Sequence, residues 1–188
     1  SGNGNDGSVN GATLSESRHR DANHAYLFNG SDSITVRRIE LGEEYSLCVW
    51  IRSSAKGSQT VVCAAVMNSE SESYITLMHN LDGAHPVDYF RFNDRPEGRG
   101  GGGTNLYSST SLHDNKWHQV VCTGSKKSLS LYVDGTGIAK NDRENRRKLE
   151  KLITLQIGMN FDNWYYTGQI DDVRIYNRAL SAAEVKAL

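Results

Sequence analysis

The sequence predicts an all-β protein, an antiparallel sandwich of two sheets with one short C-terminal helix. Short runs rich in Val, Ile, Thr and aromatic residues alternate with period two, and Gly, Asn, Asp and Ser clusters separate them at intervals of roughly 8 to 14 residues. No helical pattern alternates with these runs, which argues against a parallel sheet. The predicted strands are residues 46–51, 60–66, 73–78, 89–92, 117–123, 129–133, 152–157 and 169–176.

Local signals place a hairpin turn and the helix. Asp134-Gly135 follows a strand-like run and has the composition of a tight hairpin turn, in which Gly accepts a positive φ. Ser181 stands three residues before Glu184, the spacing of a capping box at a helix start. The segment 25–28 is expected to be a further pairing strand that follows a polar opening.

Two segments are not expected to form strands. Residues 95–104 hold Pro96 and a run of glycines, so we expect a mobile loop there. Residues 140–151 carry six basic and three acidic side chains and are expected to form a charged helical turn or loop. That segment is a possible contact for a sulfated or uronic-acid glycan, but a solvated surface is the stronger interpretation.

Length and charge limit the possible functions. The 188 residues are expected to form a single domain, 1–188, and 21 Lys and Arg against 22 Asp and Glu give a net charge of −1. This balance argues against nucleic acid as a partner. The longest apolar run, 61–67, is far short of the roughly 18 residues needed to span a bilayer, so no membrane insertion is expected. Because the chain opens on Ser1 instead of Met, we expect it to be part of a larger multidomain chain.

The cysteines do not form a recognisable motif. Cys48, Cys63 and Cys122 lack C-x-x-C spacing, and each stands among apolar residues. Buried thiols are favoured over one disulfide with one free cysteine, which stays open as the alternative.

Several motifs together resemble the laminin-G-like, concanavalin A-like jelly-roll domains of the bacterial kind. They cover the chain from end to end, and the last is the most specific. The motifs are SGNGNDGSVNGA at 1–12, YLFNGSDSI at 26–34, YSLCVWIR at 45–52, KWHQVV at 116–121, LYVDG at 131–135 and GQIDDVRIYNRALSAAE at 168–184.

The resemblance implies a jelly roll that serves as a carbohydrate- or protein-binding module of a secreted or cell-surface protein, often with a structural calcium ion. It is strong evidence for a fold and weak evidence for a ligand, because one fold carries many unrelated sites. The resemblance also places Trp50 and Trp117 at core positions, so we expect both to pack.

The resemblance places the opening segment near the closing strand, and a calcium site is predicted there. If Val173 and Ile175 face the core, alternation places Asp171 on the same face, where a carboxylate needs calcium, an arginine or backbone amides as its partner. Alternation also sends the Asp172 carboxylate to the opposite face. The predicted ligands are Asp171, Asn3, Asn5 and Asp6.

A sugar site is predicted on two polar segments rich in aromatic residues. Sugars need aromatic platforms for their apolar faces and amides or charged groups for their hydroxyls. The alternative is that these are ordinary loop residues. The predicted ligand-binding residues are Trp164, Tyr165, Asn160 and Asp162 in one segment and Tyr89, Arg91, Asn93, Arg95 and Tyr107 in the other, with Asp94 beside them.

The sequence argues against an enzyme. A related glycosidase needs two carboxylates on one face of a strand, but Glu70 and Glu72 stand in a polar turn. No H-E-x-x-H motif is present among the six histidines. The predicted function is therefore a noncatalytic, lectin-like module that binds a glycan or an extracellular protein. The alternative is a structural or adhesive spacer in a cell-adhesion protein.

Overall fold

The computed structural model describes residues 6–65, 74–80, 89–95, 103–142, 152–160 and 162–188, without the side chains of Arg38, Asn80 and Leu152. The strands in these ranges are β1 Ser8–Asn10, β2 Thr13–Ser15, β3 Ala25–Asn29, β4 Ser33–Glu40, β5 Tyr45–Arg52, β6 Gln59–Ala65, β7 Tyr74–Asn80, β8 Tyr89–Arg95, β9 Thr104–Tyr107, β10 His118–Gly124, β11 Ser128–Val133, β12 Thr136–Asp142, β13 Leu152–Ile157 and β14 Thr167–Tyr176, and the helix is α1 Ala182–Lys186.

The strands form two antiparallel seven-stranded sheets that pack as a sandwich, which confirms the predicted fold class. Sheet A has the order β1-β4-β13-β6-β7-β8-β9, and sheet B has the order β12-β11-β10-β5-β14-β3-β2. Side chains that alternate along the strands of both sheets meet in one hydrophobic core. Within the described ranges, no helix has the length and apolar character that a membrane crossing requires.

The predicted turn and helix start are both present. Asp134 and Gly135 join β11 to β12 with φ values of 49° and 72°, as a two-residue hairpin turn demands. At α1 the Glu184 N–H donates to the Ser181 hydroxyl oxygen at 3.3 Å, and the Ser181 N–H donates to the Glu184 carboxylate at 2.8 Å. The charged segment differs from its prediction at its start, because β12 continues to Asp142; residues 143–151 lie outside the described part of the chain.

All three cysteines are buried free thiols, as the sequence favoured. Burial raises the pKa of the Cys48 thiol to about 11 and that of Cys63 to about 12, and it also raises the pKa of Cys122. The thiols therefore stay protonated near neutral pH and act as small apolar groups in the packing.

Strand β14 departs from regular alternation. Asp171 lies opposite Trp50 and Arg174 lies opposite Cys48, so that two residues of β14 face one residue of β5. The extra residue forms a β-bulge in which Asp172 has a φ of 46°. The prediction that the Asp171 and Asp172 carboxylates point to opposite faces is therefore wrong, and both reach the same guanidinium group, that of Arg18.

Candidate functional site

The outer face of sheet A is polar where β7 and β8 pair. Phe90 and Phe92 of β8 are fully buried in the core, so the residues between and beside them point outward. The antiparallel register places Arg91 opposite Met78, Asn93 opposite Thr76 and Arg95 opposite Tyr74. Directly opposed residues share a face, so the six side chains form one outward patch.

The segment after β13 folds over this patch and is held by Asn160, which is only 4% exposed. Its side-chain oxygen accepts the main-chain N–H groups of Asp162 at 2.9 Å and Trp164 at 3.1 Å. Asn163 adopts the left-handed conformation, with a φ of 59°, that closes the turn. The Asn160 amide thus gives the segment a fixed shape.

Trp164 remains accessible although its main chain is fixed. Its carbonyl oxygen accepts the Thr60 N–H at 3.1 Å, and the nearby Thr167 N–H donates to the Gln59 side chain at 2.8 Å. The Trp164 residue is 37% exposed, so part of the indole faces solvent. A large apolar side chain on a rigid support is suited to contact a ligand, because little conformational entropy is lost on binding.

The patch and the segment enclose a small open cavity of about 130 Å³. We call it the arginine–tryptophan pocket. It is lined by Tyr74, Thr76, Met78, Arg91, Asn93, Arg95, Asn160, Asp162 and Trp164.

Three polar atoms in this pocket have no hydrogen-bond partner among the described residues. They are Nε of Arg91, Nε of Arg95 and Oδ1 of Asn93, a residue that is only 2% exposed. Since a buried polar atom without a partner is costly, such atoms indicate a position where water or a ligand completes the bonding.

Both arginine side chains are positioned by their neighbours. The Arg95 guanidinium carbon lies 6.0 Å from the centre of the Tyr74 ring, and its stem passes the backbone of Gly103. A Cβ atom at Gly103 would stand 2.6 Å from Arg95 Cγ, so the glycine leaves room for this stem. Nη2 of Arg91 lies 2.9 Å from the Met78 sulfur, a weak acceptor.

The structure brings six of the nine predicted ligand-binding residues into this pocket and places three outside its lining. Tyr89 and Tyr107 pack on each other, with ring centres 5.5 Å apart, and Tyr107 lies opposite Arg91. Tyr165 is half-buried and does not line the cavity. Whether the six residues bind a ligand stays a prediction.

Sequence reasoning missed the three lining residues of β7 and misplaced Asp94. Tyr74, Thr76 and Met78 alternate in a predicted strand, but only the pairing of β7 with β8 shows that they face the arginines. Asp94 points into the core, where its carboxylate accepts the Tyr45 hydroxyl at 2.6 Å. Strict alternation along β8 was the available signal for this inward orientation.

The predicted calcium ligand Asp171 is paired with Arg18. Its Oδ2 lies 3.2 Å from both the main-chain nitrogen and Nη1 of Arg18, and the same Nη1 lies 2.6 Å from Asp172 Oδ2. Burial alone would raise the pKa of Asp172, but Arg18 and Arg174 outweigh it and hold this pKa below its ordinary value. A guanidinium in this position repels a second cation, so the described residues do not fit calcium at Asp171.

Trp50 supports the same arginine and lies outside the core. The Arg18 guanidinium carbon stands 4.8 Å from the centre of the Trp50 ring, a cation–π contact on the outer face of sheet B. Trp50 and Trp117 are both half-buried, which corrects their predicted core positions. The sequence offered no signal for Arg18, because its segment has no strand or helix pattern.

Another buried carboxylate lies where the turn between β3 and β4 meets the opening segment. Asp32 is 5% exposed and accepts the Asn29 N–H at 2.9 Å, and it forms no salt bridge with any described residue. Asp32 Oδ1 lies so close to Gly11 that a side chain at position 11 would collide with it. The φ of 84° at Gly11 also favours glycine. Of the other predicted ligands, Asp6 is exposed, and Asn3 and Asn5 lie outside the described residues. Asp32, unlike Asp171, therefore has no arginine paired with it among the described residues.

No group of three His, Cys, Asp or Glu side chains that could hold a metal occurs within the described ranges. Glu70 and Glu72 lie outside those ranges. Calcium also takes carbonyl and amide oxygens, so a calcium site does not require such a group.

The two sheets define a jelly-roll domain with a small open cavity on the outer face of one of them. The chain belongs to the concanavalin A-like lectin/glucanase superfamily, whose sequence profile matches residues 28–186. This confirms the resemblance seen in the sequence motifs. No curated protein sequence matches the chain significantly.

Solved structures share the fold at low sequence identity. Domain 4 of AbnA, an extracellular arabinanase from Geobacillus stearothermophilus solved with arabinotriose, has a TM-score of 0.75 at 15% identity, covering 96% of this chain and 86% of that one. The binding domain of Paraclostridial mosquitocidal protein 1 has a TM-score of 0.74 at 19% identity, covering 99% and 47%. A heptameric pentraxin from Limulus polyphemus has a TM-score of 0.68 at 11% identity, covering 85% and 78%. The chain thus spans less than half of the toxin domain, and these likenesses show the fold alone.

Proposed function

We propose that this domain is a noncatalytic carbohydrate-binding module that binds its ligand at the arginine–tryptophan pocket. The observation that carries the proposal is the convergence at this pocket of an exposed Trp164, whose main chain is held by hydrogen bonds, and the Nε atoms of Arg91 and Arg95, which have no hydrogen-bond partner among the described residues. An aromatic face beside donors and acceptors is what sugar recognition requires, since sugars present apolar ring faces and hydroxyl groups.

The family and the neighbouring folds support this proposal. The family description covers lectins as well as glucanases, and the arabinanase domain was solved with a bound trisaccharide. That neighbour acts outside the cell, which supports a secreted or cell-surface location for this domain. Several neighbours are domains of larger proteins, and we infer that this chain is also part of a multidomain protein.

A glycan array tests the proposal. Wild-type protein should bind a defined set of glycans, and Trp164→Ala should weaken binding about 30-fold, since removing a central aromatic contact costs about 2 kcal/mol. Leu14→Ala is the matched control, because Leu14 is an exposed apolar residue on β2 that does not line the pocket.

Two outcomes would contradict it. If Leu14→Ala and Trp164→Ala weaken binding equally, the pocket is not the site. If no glycan binds, the alternative of a structural or protein-binding spacer is favoured. Release of sugar products from a polysaccharide would show catalysis and overturn the noncatalytic assignment.

We further propose that a calcium ion stabilises the opening segment, with Asp32 as its buried ligand. A carboxylate that is buried without a counter-charge among the described residues is unfavourable, and calcium would neutralise it. This revises the predicted position, because Arg18 already neutralises Asp171.

A further inference from the structure

We infer that the glycan bound at the arginine–tryptophan pocket is acidic and that Arg91 and Arg95 recognise its negative group, a carboxylate or a sulfate ester. This inference rests on the proposed function and specifies its ligand class. It goes beyond that function because a neutral sugar needs no cation, whereas this pocket contains two.

The first argument is the state of the two guanidinium groups. Neither Arg91 nor Arg95 forms a salt bridge with a described residue, and the buried Nε atom of each has no partner there. By contrast Arg18 lies on sheet B between two carboxylates and an indole ring. Arg18 is therefore neutralised by its neighbours, whereas the two pocket arginines have no carboxylate paired with them among the described residues.

The second argument is geometric. Arg91, Asn93 and Arg95 occupy alternate positions of one strand, so their side chains rise from the same face with Asn93 in the middle. A planar guanidinium offers parallel N–H donors that match the oxygens of a carboxylate. Asn93 supplies amide groups between the two arginines, for a hydroxyl next to the acid.

The third argument comes from the size and charge distribution of the cavity. About 130 Å³ is well below the roughly 300–1,000 Å³ of pockets that enclose a drug-sized ligand, so the pocket is too small to enclose an oligosaccharide and we expect it to hold a single sugar unit. The arginines stand on β8, whereas Asp162 and Trp164 stand on the segment after β13. The acid group of the bound sugar is therefore expected at the side of the pocket formed by β8. The sugar ring and its hydroxyl groups are expected at the side formed by Trp164 and Asp162.

The test uses matched pairs of glycans that differ only in charge. Uronic-acid and sialic-acid oligosaccharides are compared with their methyl esters, and sulfated oligosaccharides with their desulfated forms, by isothermal titration at low and high salt. The charged member should bind at least about tenfold more tightly than its neutral partner, with the difference shrinking as salt rises. Which of the two charged series binds identifies the acid group.

Variants separate recognition from general charge. Arg91→Gln and Arg95→Gln should each remove most of the preference for the charged member, and Arg91→Lys should remove part of it, because lysine keeps the charge and loses the planar donors. Arg20→Gln is the control, since it removes the same charge from an exposed site outside the pocket lining. Thermal unfolding of each variant shows that it is folded.

The outcomes for the inference and the proposed function are distinct. If neutral glycans bind as tightly as acidic ones, with binding lost in Trp164→Ala and kept in both Arg→Gln variants, the acidic ligand is excluded while the carbohydrate-binding function stands. If Arg20→Gln lowers affinity as much as Arg91→Gln, the attraction is not specific to the pocket. If no glycan of either class binds, both fail.

Discussion

At the scale of single residues, His118 lies between two carboxylates near the Asp134-Gly135 turn. Its Nδ1 lies 2.8 Å from Asp134 Oδ2, and its Nε2 lies 3.0 Å from Asp114 Oδ1. Partial burial lowers the pKa of His118, but the hydrogen bonds and charges of Asp134 and Asp114 outweigh it and leave this pKa raised. The Asp114 pKa is raised by burial yet lowered more strongly by hydrogen bonds from Lys116 and His118, to about 2.

These pKa shifts predict a pH dependence of stability. Because the folded state binds the His118 proton more tightly than the unfolded state, its contribution is full below the unfolded pKa of about 6.5 and is lost as pH rises through the folded pKa. We expect the wild type to lose up to about 1 kcal/mol more stability than His118→Gln between about pH 5.5 and pH 8.5, as for a solvent-screened ion pair. Urea unfolding at both pH values measures this, and an equal pH dependence in the two proteins would refute it.

At the level of elements, the segment between β13 and β14 depends on Gly158. This residue has a φ of 83°, and its main chain bonds both neighbours, since its N–H donates to Val61 O at 2.8 Å and its oxygen accepts the Tyr166 N–H at 2.9 Å. A Cβ atom at Gly158 would stand 2.4 Å from two carbons of the Phe28 ring, which is fully buried in the core. Both the backbone angle and the packing therefore exclude a side chain.

Gly158→Ala should destabilise the protein strongly. Strain at a positive φ and overpacking against Phe28 together should lower the free energy of unfolding by about 2 kcal/mol or more. Gly42→Ala is the control, because its Cβ would meet its nearest neighbour at an ordinary 3.6 Å. It should change stability by at most about 0.5–1 kcal/mol. Similar losses in both variants, measured by urea unfolding, would contradict the argument.

The site could be predicted from the sequence only as two separate segments. Trp164 and Asn160 were identifiable because an aromatic-rich polar run is unusual between strands, and Arg91, Asn93 and Arg95 because alternation puts them on one face. That the two segments meet depends on β13 and β8 lying in the same sheet with β6 and β7 between them. This order arises from long-range pairing, which no local pattern encodes.

At the scale of the whole molecule, the sequence predicted the two-sheet architecture, but it did not predict every strand or the irregular position in β14. Alternation identified nine of the described strands, but β4 and β12 were missed in addition to the short strands β1, β2 and β9, each of which has only three or four residues. The β-bulge in β14 was also missed, because a residue with positive φ at Asp172 breaks the alternation that strand prediction assumes. The missed bulge affected the predicted calcium site, because it brings Asp171 and Asp172 to the same arginine, Arg18.

The proposed calcium ion would link the opening segment to the turn that joins β3 to β4, and so stabilise the sandwich at one edge. At a concentration of about one hundred times its dissociation constant, calcium should add about 2.7 kcal/mol to the stability of the folded state, or about 5–10 °C in Tm for a domain of this size. Asp32→Asn should abolish the calcium-dependent part of this shift, because a neutral amide binds the cation far more weakly.

Asp171→Asn is the control for this prediction. It should lower Tm with and without calcium, because it leaves Arg18 without one of its partners, and it should keep the calcium-dependent rise in Tm. Thermal unfolding in EDTA and in calcium distinguishes the two variants. If the calcium-dependent rise in Tm disappears in Asp171→Asn and persists in Asp32→Asn, the calcium site lies at the closing strand. If calcium does not raise the Tm of the wild type, calcium stabilisation is excluded.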